Sequence, residues 1–496
     1  MNEAAFTPLM VTVFAPMLGI PLLARIRTLP LAGWTNLGLC LIEFFASLIT
    51  ARIVLHGGAF AAHGLRIDAF NVYLVVLTTF VGLTTAIFSR PYMAEVCEQG
   101  RITRKRMRLY HAMFQGFQFT MLLALTTDNL GVLWVAVEGA TLATVLLVSL
   151  YRTPESVEAA WKYFILCGVG IALALFGTVL VYFAAQQVVT HPEDGLTWSI
   201  LYTHAHVLNP TVMAIAFVFL LVGYGTKVGL VPMHFWLPDA HSEGPTPVSA
   251  VLSGLLLNVA LYAVVRFKML VDGALAAGTT PQIAGHLMMA FGLLSFVVAV
   301  FSLQRQRDIK RMFSYSSIEH MGLMTFAFGI GGPLATFAGL LHMLVHSLTK
   351  SAIFVTVGHA SHIAGTQSID HIRGLIRTQP SVGWGLLLGV AAIAGFPPFG
   401  IFTSEFLVLS ATMESWPWLT LFLFSGLVVA FAGLFRNLHP MVYGTAPEGQ
   451  TPVRANMLPV LVHLLLVLWL GLAIPGFLSG WLDQVTVLIA GQGMLS

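Results

Sequence analysis

Charge is scarce in this chain. Lysine, arginine, aspartate and glutamate make up 9% of its 496 residues, where soluble proteins carry about 25%. Long polar stretches are missing too: 57% of residues are hydrophobic and mean hydropathy is +0.85. Little room is left for a soluble domain, and the chain reads as a polytopic membrane protein. Cysteine is nearly absent. Cys40, Cys97 and Cys167 stand far apart with no CxxC, which argues against an iron–sulfur or zinc framework. No glycine-rich dinucleotide or phosphate-loop fingerprint occurs. No cofactor is expected in this chain, so any redox chemistry would belong to a partner. The net charge of +3 comes from short basic loops rather than a stripe, and nucleic acid is not an expected partner. The first residues, MNEAAFTPLM, lack the basic start of a signal peptide and read as the opening of the first spanning helix.

What is present is a succession of apolar runs. A spanning helix needs about 20 such residues. Counting them predicts an all-α membrane protein of about fourteen helices, centred on 6–24, 32–55, 68–89, 109–127, 129–151, 159–185, 210–231, 246–270, 283–303, 312–331, 333–360, 380–412, 417–440 and 455–475. The tail 476–496 reads as a surface-lying amphipathic segment. Basic residues favour alternate loops, among them Arg104, Lys105, Arg106, Arg305, Lys310, Arg373, Arg377 and Arg454; the other loops hold only Arg52, Arg66, Arg266 and Lys268. The positive-inside rule then places both termini outside.

Two spans are interrupted. YGTKVGLVPMHFWLPDAH carries Pro232 and Pro238, and VAAIAGFPPFGIFTSEF carries Pro397 and Pro398. Proline removes a backbone donor and frees carbonyls that need other partners. Two broken helices an odd number of helices apart point to inverted repeats. The expected organisation is helices 1–3 in 1–108, a first five-helix unit in 109–270, a second, inverted one in 283–440, and a C-terminal helix and tail in 455–496.

Charges recur inside the apolar runs: Glu138, Lys162, Lys227, Lys350 and Glu405. Each costs about 2.5–3.5 kcal/mol at the bilayer centre. A lysine near a carboxylate whose separation varies is a switchable proton site, and Glu138 is the natural partner of Lys227. The alternative is a static buried ion pair that fixes packing. His342, His346 and Lys350 stand at i, i+4 and i+8, one stripe about 12 Å long, and imidazole can pass a proton through either nitrogen. No third ligand for a metal is evident there. Lys162 lies near a helix end, where snorkelling to the interface competes with a role inside. Glu319 and His320 follow the basic RQRDIKR segment, and with Lys310 they form a possible proton entrance. Asp239, His241 and Glu243 read as solvated loop residues. Glu43 lies outside both repeats, in a packing or partner-contact role.

Three segments carry a resemblance: KVGLVPMHFWLPDAHSEGPTPVSAVLSG, RDIKRMFSYSSIEHMGLM and LLHMLVHSLTKSAIF. They resemble the antiporter-like subunits of respiratory complex I, Mrp-type antiporters and group 4 hydrogenases, over about residues 60–440. WVAVEGATLATVLLVSLYRTPESVEAAWKYFILC and FPPFGIFTSEF look most like component F of hydrogenase-4 complexes. The resemblance implies two inverted five-helix bundles around a central polar axis. It puts Glu138, Lys162 and Lys227 on the family's fifth-, sixth- and seventh-helix charges. Lys350 falls on the lysine joining the bundles, His342 and His346 on the histidines before it, and Glu405 on the twelfth-helix position. Where some members have an eighth-helix histidine, this chain has Ser253, with Asn258 as a substitute.

The function implied is proton translocation within a membrane-bound redox complex of hydrogenase-4 or complex I type. The partners would be other membrane subunits, a peripheral energising module and lipids, in a bacterial inner membrane. No catalytic centre is expected in the chain itself. A sodium/proton exchanger subunit, a subunit energising inorganic-carbon uptake and a vestigial scaffold are the competing functions.

Overall fold

Inside a bilayer every backbone amide must be satisfied within its own segment, and a helix does this for a chain this apolar. The structure, a computed structural model, describes residues 6–186, 188–189, 191–276, 282–446 and 455–494, and it is mostly helical. Arg454 and the last two residues of the tail lie outside the described residues.

The first half opens with α1 (Thr7–Arg25) and α2 (Leu29–Gly57). A small hairpin, β1 (Phe60–Ala62) and β2 (Leu65–Ile67), pairs Phe60 with Ile67. Then come α3 (Ala69–Glu98), α4 (Arg104–Thr126), α5 (Leu130–Val148), α6 (Pro154–Ala185) and the short α7 (Trp198–Thr203). Next, α8 (Pro210–Val228) and α9 (Trp236–Glu243) flank the first break. α10 (Thr246–Val251) and α11 (Leu257–Leu275) are joined by one π-helical turn, Leu252–Leu256. The second half holds α12 (Ile283–Leu303), α13 (Ile309–Ile330), α14 (Gly332–Ala364) and the short α15 (Leu375–Thr378). There α16 (Pro380–Ile393) and α17 (Gly400–Ser415) flank the second break, followed by α18 (Pro417–Tyr443), α19 (Leu458–Leu472) and α20 (Gly476–Ala490).

Ten helices among the described residues are long and apolar enough to cross a membrane, and eleven if the bent pair α19–α20 is one span. The chain is a multi-pass integral membrane protein. The tail differs from the sequence expectation. α20 turns by 79° from α19 and docks onto the bundle, with Trp481 Nε1 donating to the Ala69 carbonyl at 2.9 Å.

Close helix contact relies on small residues, as membrane interiors require. A Cβ on Gly292 of α12 would stand 2.6 Å from the Gly322 carbonyl of α13. Two helices are enclosed almost entirely: the α10–α11 span and α14. They form the axis on which the polar residues converge.

Asp68 ties the first half together. Its Oδ1 caps α3 by accepting from the Phe70 and Asn71 amides at 3.0 and 3.1 Å, and Asn71 Oδ1 accepts from the Asp68 amide at 2.7 Å. Arg266 Nη2 donates to both Asp68 oxygens at 2.7 Å. Arg266 is therefore not a loop residue, as its place among the sparse basic loops implied. It lies inside α11, 3% exposed. Burial alone would raise the Asp68 carboxyl, but Arg266 and Arg66 outweigh it and hold it below the ordinary carboxylate range. Removing one partner of a buried pair costs about 3–5 kcal/mol, so Asp68→Ala should lower the unfolding temperature of the detergent-solubilised protein well below wild type. Because the folded value is the lower one, the pair stabilises fully above the unfolded value of about 3.9. Its contribution is lost as pH falls through the folded value, below about 4. A wild-type unfolding temperature that does not fall faster than that of Asp68→Ala on acidification would contradict this.

Candidate functional site: a buried chain of protonatable residues

The first half supplies a three-residue unit. α5 places Glu138 and Thr141 one turn apart, and the Thr141 hydroxyl donates to Glu138 Oε2 at 3.2 Å. Lys227, in the last turn of α8 and fully buried, reaches the same hydroxyl with its Nζ. Thr141 thus bridges the carboxylate and the Lys227 amine. The Tyr163 ring lies 5.2 Å from Lys227 Nζ and stacks on Trp236 at 4.5 Å. Trp236 donates to the Thr226 carbonyl at 2.8 Å, which also accepts from the Gly229 amide at 3.2 Å where α8 ends. Gly229, at φ +85°, stops α8 just past the lysine.

The prolines do not all break helices. Pro232, Pro397 and Pro398 lie in the gaps α8–α9 and α16–α17, and the Val231–Pro232 and Pro397–Pro398 bonds are cis. Pro238 instead lies within the first turn of α9. Proline is tolerated there because first-turn amides have no intrahelical acceptor. It begins the second segment rather than interrupting the span.

The second half brings α13, α14 and α17 together around histidines. His342 and His346 on α14 are fully buried. The expected stripe along α14 is completed across helices. His320 Nδ1 of α13 lies 3.0 Å from His342 Nε2, while the two α14 rings stand 6.3 Å apart. On its other side His342 Nδ1 meets Ser404 Oγ of α17 at 2.9 Å. Glu405 Oε1 is 3.9 Å from His320 Nδ1. Gly395, at φ +67°, opens the second break towards this carboxylate: a Cβ there would stand 2.1 Å from Glu405 Oε2.

Lys350 is fully buried and donates to the Phe313 carbonyl at 3.0 Å. Glu319 is within electrostatic reach of both Lys350 and Glu405. Glu319 and His320 lie deep in the bundle, His320 against His342. They lie 2% and 1% exposed, about 14 Å further along α13 than Lys310 at 1.5 Å per residue. Lys310 is itself only 3% exposed. It borders a polar cavity of about 550 Å³ lined also by Tyr92, Gln99, Arg101, Thr246 and His362, and it donates to the Gly244 carbonyl at 2.9 Å.

Two further placements differ from expectation. Lys162 is not buried: its side chain is 50% exposed and pairs with Glu158 at 2.7 Å and Asp239 at 3.3 Å. It stands two turns into α6 on the outward face, beside Trp161, and its long stem carries the ammonium to those carboxylates. His241, read from the sequence as solvated, is fully buried. It stacks on Phe354 of α14 at 4.7 Å, and neither ring nitrogen has a partner. It is within electrostatic reach of both Lys310 and Lys350. The sequence signal for it was its spacing: four residues past Leu237 on a helix as short as α9, it shares that buried face. Asn258 also takes part, donating to Ser347 Oγ at 2.7 Å, while Ser253 meets Ser317 at 2.7 Å. Among the described residues no group of three or more His, Cys, Asp or Glu side chains is placed to hold a metal ion.

Residues 127–431 match the family model described as NADH:quinone oxidoreductase/Mrp antiporter, transmembrane. The chain belongs to this family. It is 48% identical over 474 residues to a hydrogenase-4 component F homolog of Methylacidiphilum infernorum, covering 96% of this chain and 98% of that one. It is 30% identical to NADH-quinone oxidoreductase subunit N of Desulforudis audaxviator, over 71% of this chain and 67% of that one. Among solved structures it is similar in fold to a chain of the membrane-bound sulfane sulfur reductase, an archaeal respiratory membrane complex. The TM-score is 0.86 at 23% identity, covering 99% of this chain and 98% of the other. A chain of the Mrp complex from Dietzia sp. gives a TM-score of 0.82 at 18% identity, covering 98% and 97%. The protein is an antiporter-like membrane subunit, and its relatives are subunits of multisubunit membrane complexes.

Proposed function

We propose that this chain is the proton-translocating subunit of a membrane-bound redox complex of hydrogenase-4 or complex I type, and that it acts without a cofactor of its own. The observation that carries this reading is the hydrogen-bonded run His320–His342–Ser404 beside Glu405. Protonatable groups in contact across three helices, with no water-exposed member, are suited to passing a proton and poorly suited to holding a static ion pair. Glu138, Thr141 and Lys227 form the corresponding unit in the first half. Lys350 and Glu319 sit between Lys310 and the histidines, and His241 faces Lys310 and Lys350. Lys310 and its polar cavity serve as the entrance. Lys162, outside this run of residues, acts at the surface, where it pairs with Glu158 and Asp239.

On this reading α4 and α13 also span. Both are long, and polar residues inside them, among them Gln115 and Gln118 in α4 and Glu319 and His320 in α13, lower their hydropathy. With α16–α17 and α19–α20 as bent spans, the total is fourteen. Residues 109–270 and 283–440 are then two inverted five-helix units, each with a broken helix. Helices 1–3 occupy 1–108, and 455–496 closes the chain. The bias of basic residues to alternate loops supports both termini lying outside a bacterial inner membrane. The hydrogenase-4 and NADH-quinone relatives support a redox partner over an exchanger without one.

The test is to purify the complex from native membranes, identify the subunits by mass spectrometry, and reconstitute it with a pH-sensitive dye in the vesicle lumen. The expected result is a hydrogenase-type or quinone-site subunit and proton uptake driven by its reaction. Exchanger subunits alone, with proton movement only against a sodium gradient, would replace this reading with the exchanger one.

A further inference from the structure

A second set of buried polar groups lies outside the chain of lysines and histidines, in the layer formed by α1 to α4. Glu43 stands in the middle of α2, fully buried, and neither carboxylate oxygen has a hydrogen-bond partner. Gln115 Oε1 and both side-chain atoms of Gln118, on α4, are also buried and unpartnered. No lysine or arginine acts on Glu43 among the described residues; Gln115 and Cys40 are the side chains near it, and neither meets its oxygens at hydrogen-bond geometry.

Two helix registers bring these groups together. Gln115 Nε2 donates to Asn36 Oδ1 at 3.1 Å and to Cys40 Sγ at 3.4 Å on α2. Alternate spans of a serpentine run parallel, so Gln118, three residues on, comes level with Glu43. On the other side Ser47 meets Thr79 of α3 at 2.8 Å. α3 runs antiparallel to α2, so Glu43 comes level with Gly82 and Leu83. The Gln118 amide occupies that space: a Cβ on Gly82 would stand 1.8 Å from Gln118 Nε2. Glu43 and the Gln118 amide therefore share one mid-membrane position, reached from two directions.

The unpartnered atoms are mostly acceptors: two from Glu43 and one from each glutamine. A proton on Glu43 supplies one donor and leaves the other oxygens unmet. A cation meets several oxygens at once. The unpartnered acceptors are all oxygens, which suits a hard cation, and they carry one negative charge, which a monovalent ion neutralises and a divalent ion overshoots; the Gln118 Nε2 amide is the one donor among these atoms. The titratable neighbours are Cys40, one turn before Glu43, and His111, one turn before Gln115; the latter is buried with Nδ1 unpartnered. Neither adds an opposite charge.

We propose that Glu43, Gln115 and Gln118 form a binding site for a small dehydrated monovalent cation of sodium size, separate from the proton chain. Ser47 and Thr79 stand one turn away as further hydroxyl oxygens. The position is independent of which complex the subunit joins.

Radioactive sodium binding to the purified full-length chain at alkaline pH tests this, with choline chloride holding ionic strength constant. The expected result is one sodium per chain, displaced as pH falls because protons compete for Glu43. Losing a hydrogen-bonding or ligating partner of a charge weakens binding by about tenfold or more, so Glu43→Gln and Gln118→Leu should each do so. Lys227→Ala should leave sodium binding at the wild-type level, which separates this site from the proton chain. Gln118→Leu keeps Glu43 in place, so it remains informative should Glu43→Gln fold poorly. No sodium bound to the wild type, or equal binding by wild type and both α2 and α4 variants, would overturn the proposal and leave Glu43 as a protonated packing residue.

Discussion

Replacing Lys227 with alanine should abolish driven proton uptake while the complex stays assembled. A positioned proton-transfer group is worth about a hundredfold or more in rate, so uptake in dye-loaded vesicles should fall to background. The reason lies in the Thr141 bridge. Lys227 Nζ and Glu138 meet through one hydroxyl, so Lys227 is the group placed to exchange a proton with the Glu138 side. Glu138→Gln keeps the hydrogen bond to Thr141 but removes the charge, and it should fail equally. Thr141→Val keeps the shape and removes the bridge. It should slow uptake without stopping it, because Lys227 is long enough to swing. A static pair behaves differently: replacing both members with apolar residues is often neutral or stabilising, and transport would persist. Equal uptake by wild type and Lys227→Ala, measured on complexes of matched subunit content, sinks the transport role.

His342→Gln is the second large effect. Glutamine keeps much of the volume and can still bond to His320 and Ser404. It cannot take a proton on one atom and release another from the opposite side, as imidazole does. Uptake should drop by about tenfold or more, measured in the same vesicles, while the partner's reaction continues. Because the bonds survive, assembly and unfolding temperature should stay near wild type. If His342→Gln pumps normally, the histidines of α13 and α14 are packing residues hydrogen-bonded for stability alone.

Much of this was legible in the sequence, for physical reasons. Apolar runs of spanning length leave the backbone one solution, so helix positions followed from counting. The breaks followed from Pro232, Pro397 and Pro398, which cannot continue a helix. Charges inside apolar runs flagged Glu138, Lys227, Lys350 and Glu405, because such groups are too costly to be incidental. What the sequence hid was orientation about each helix axis. Lys162 and Lys227 look alike in one dimension, yet one faces outward to Glu158 and Asp239 and the other faces Thr141. His241 sits among charged and proline residues that read as a solvated turn, and only the tertiary turn of α9 buries it against Phe354. The His320–His342 contact joins α13 to α14, and the lateral pairing of two helices is not written in either one's periodicity. Arg266 was misplaced for a related reason: its partner Asp68 is 198 residues away.

The central claim is that both halves work as one path. The direct test is a double-mutant comparison of Lys227→Ala and His342→Gln, singly and together, by proton uptake per turnover of the assembled complex. A path in series predicts that each single change removes most of the uptake and that the double variant is no worse than the worse single one, a strong departure from additivity. Two independent channels predict that each single variant keeps about half of the uptake and that only the double variant loses all of it. That second result would contradict the account.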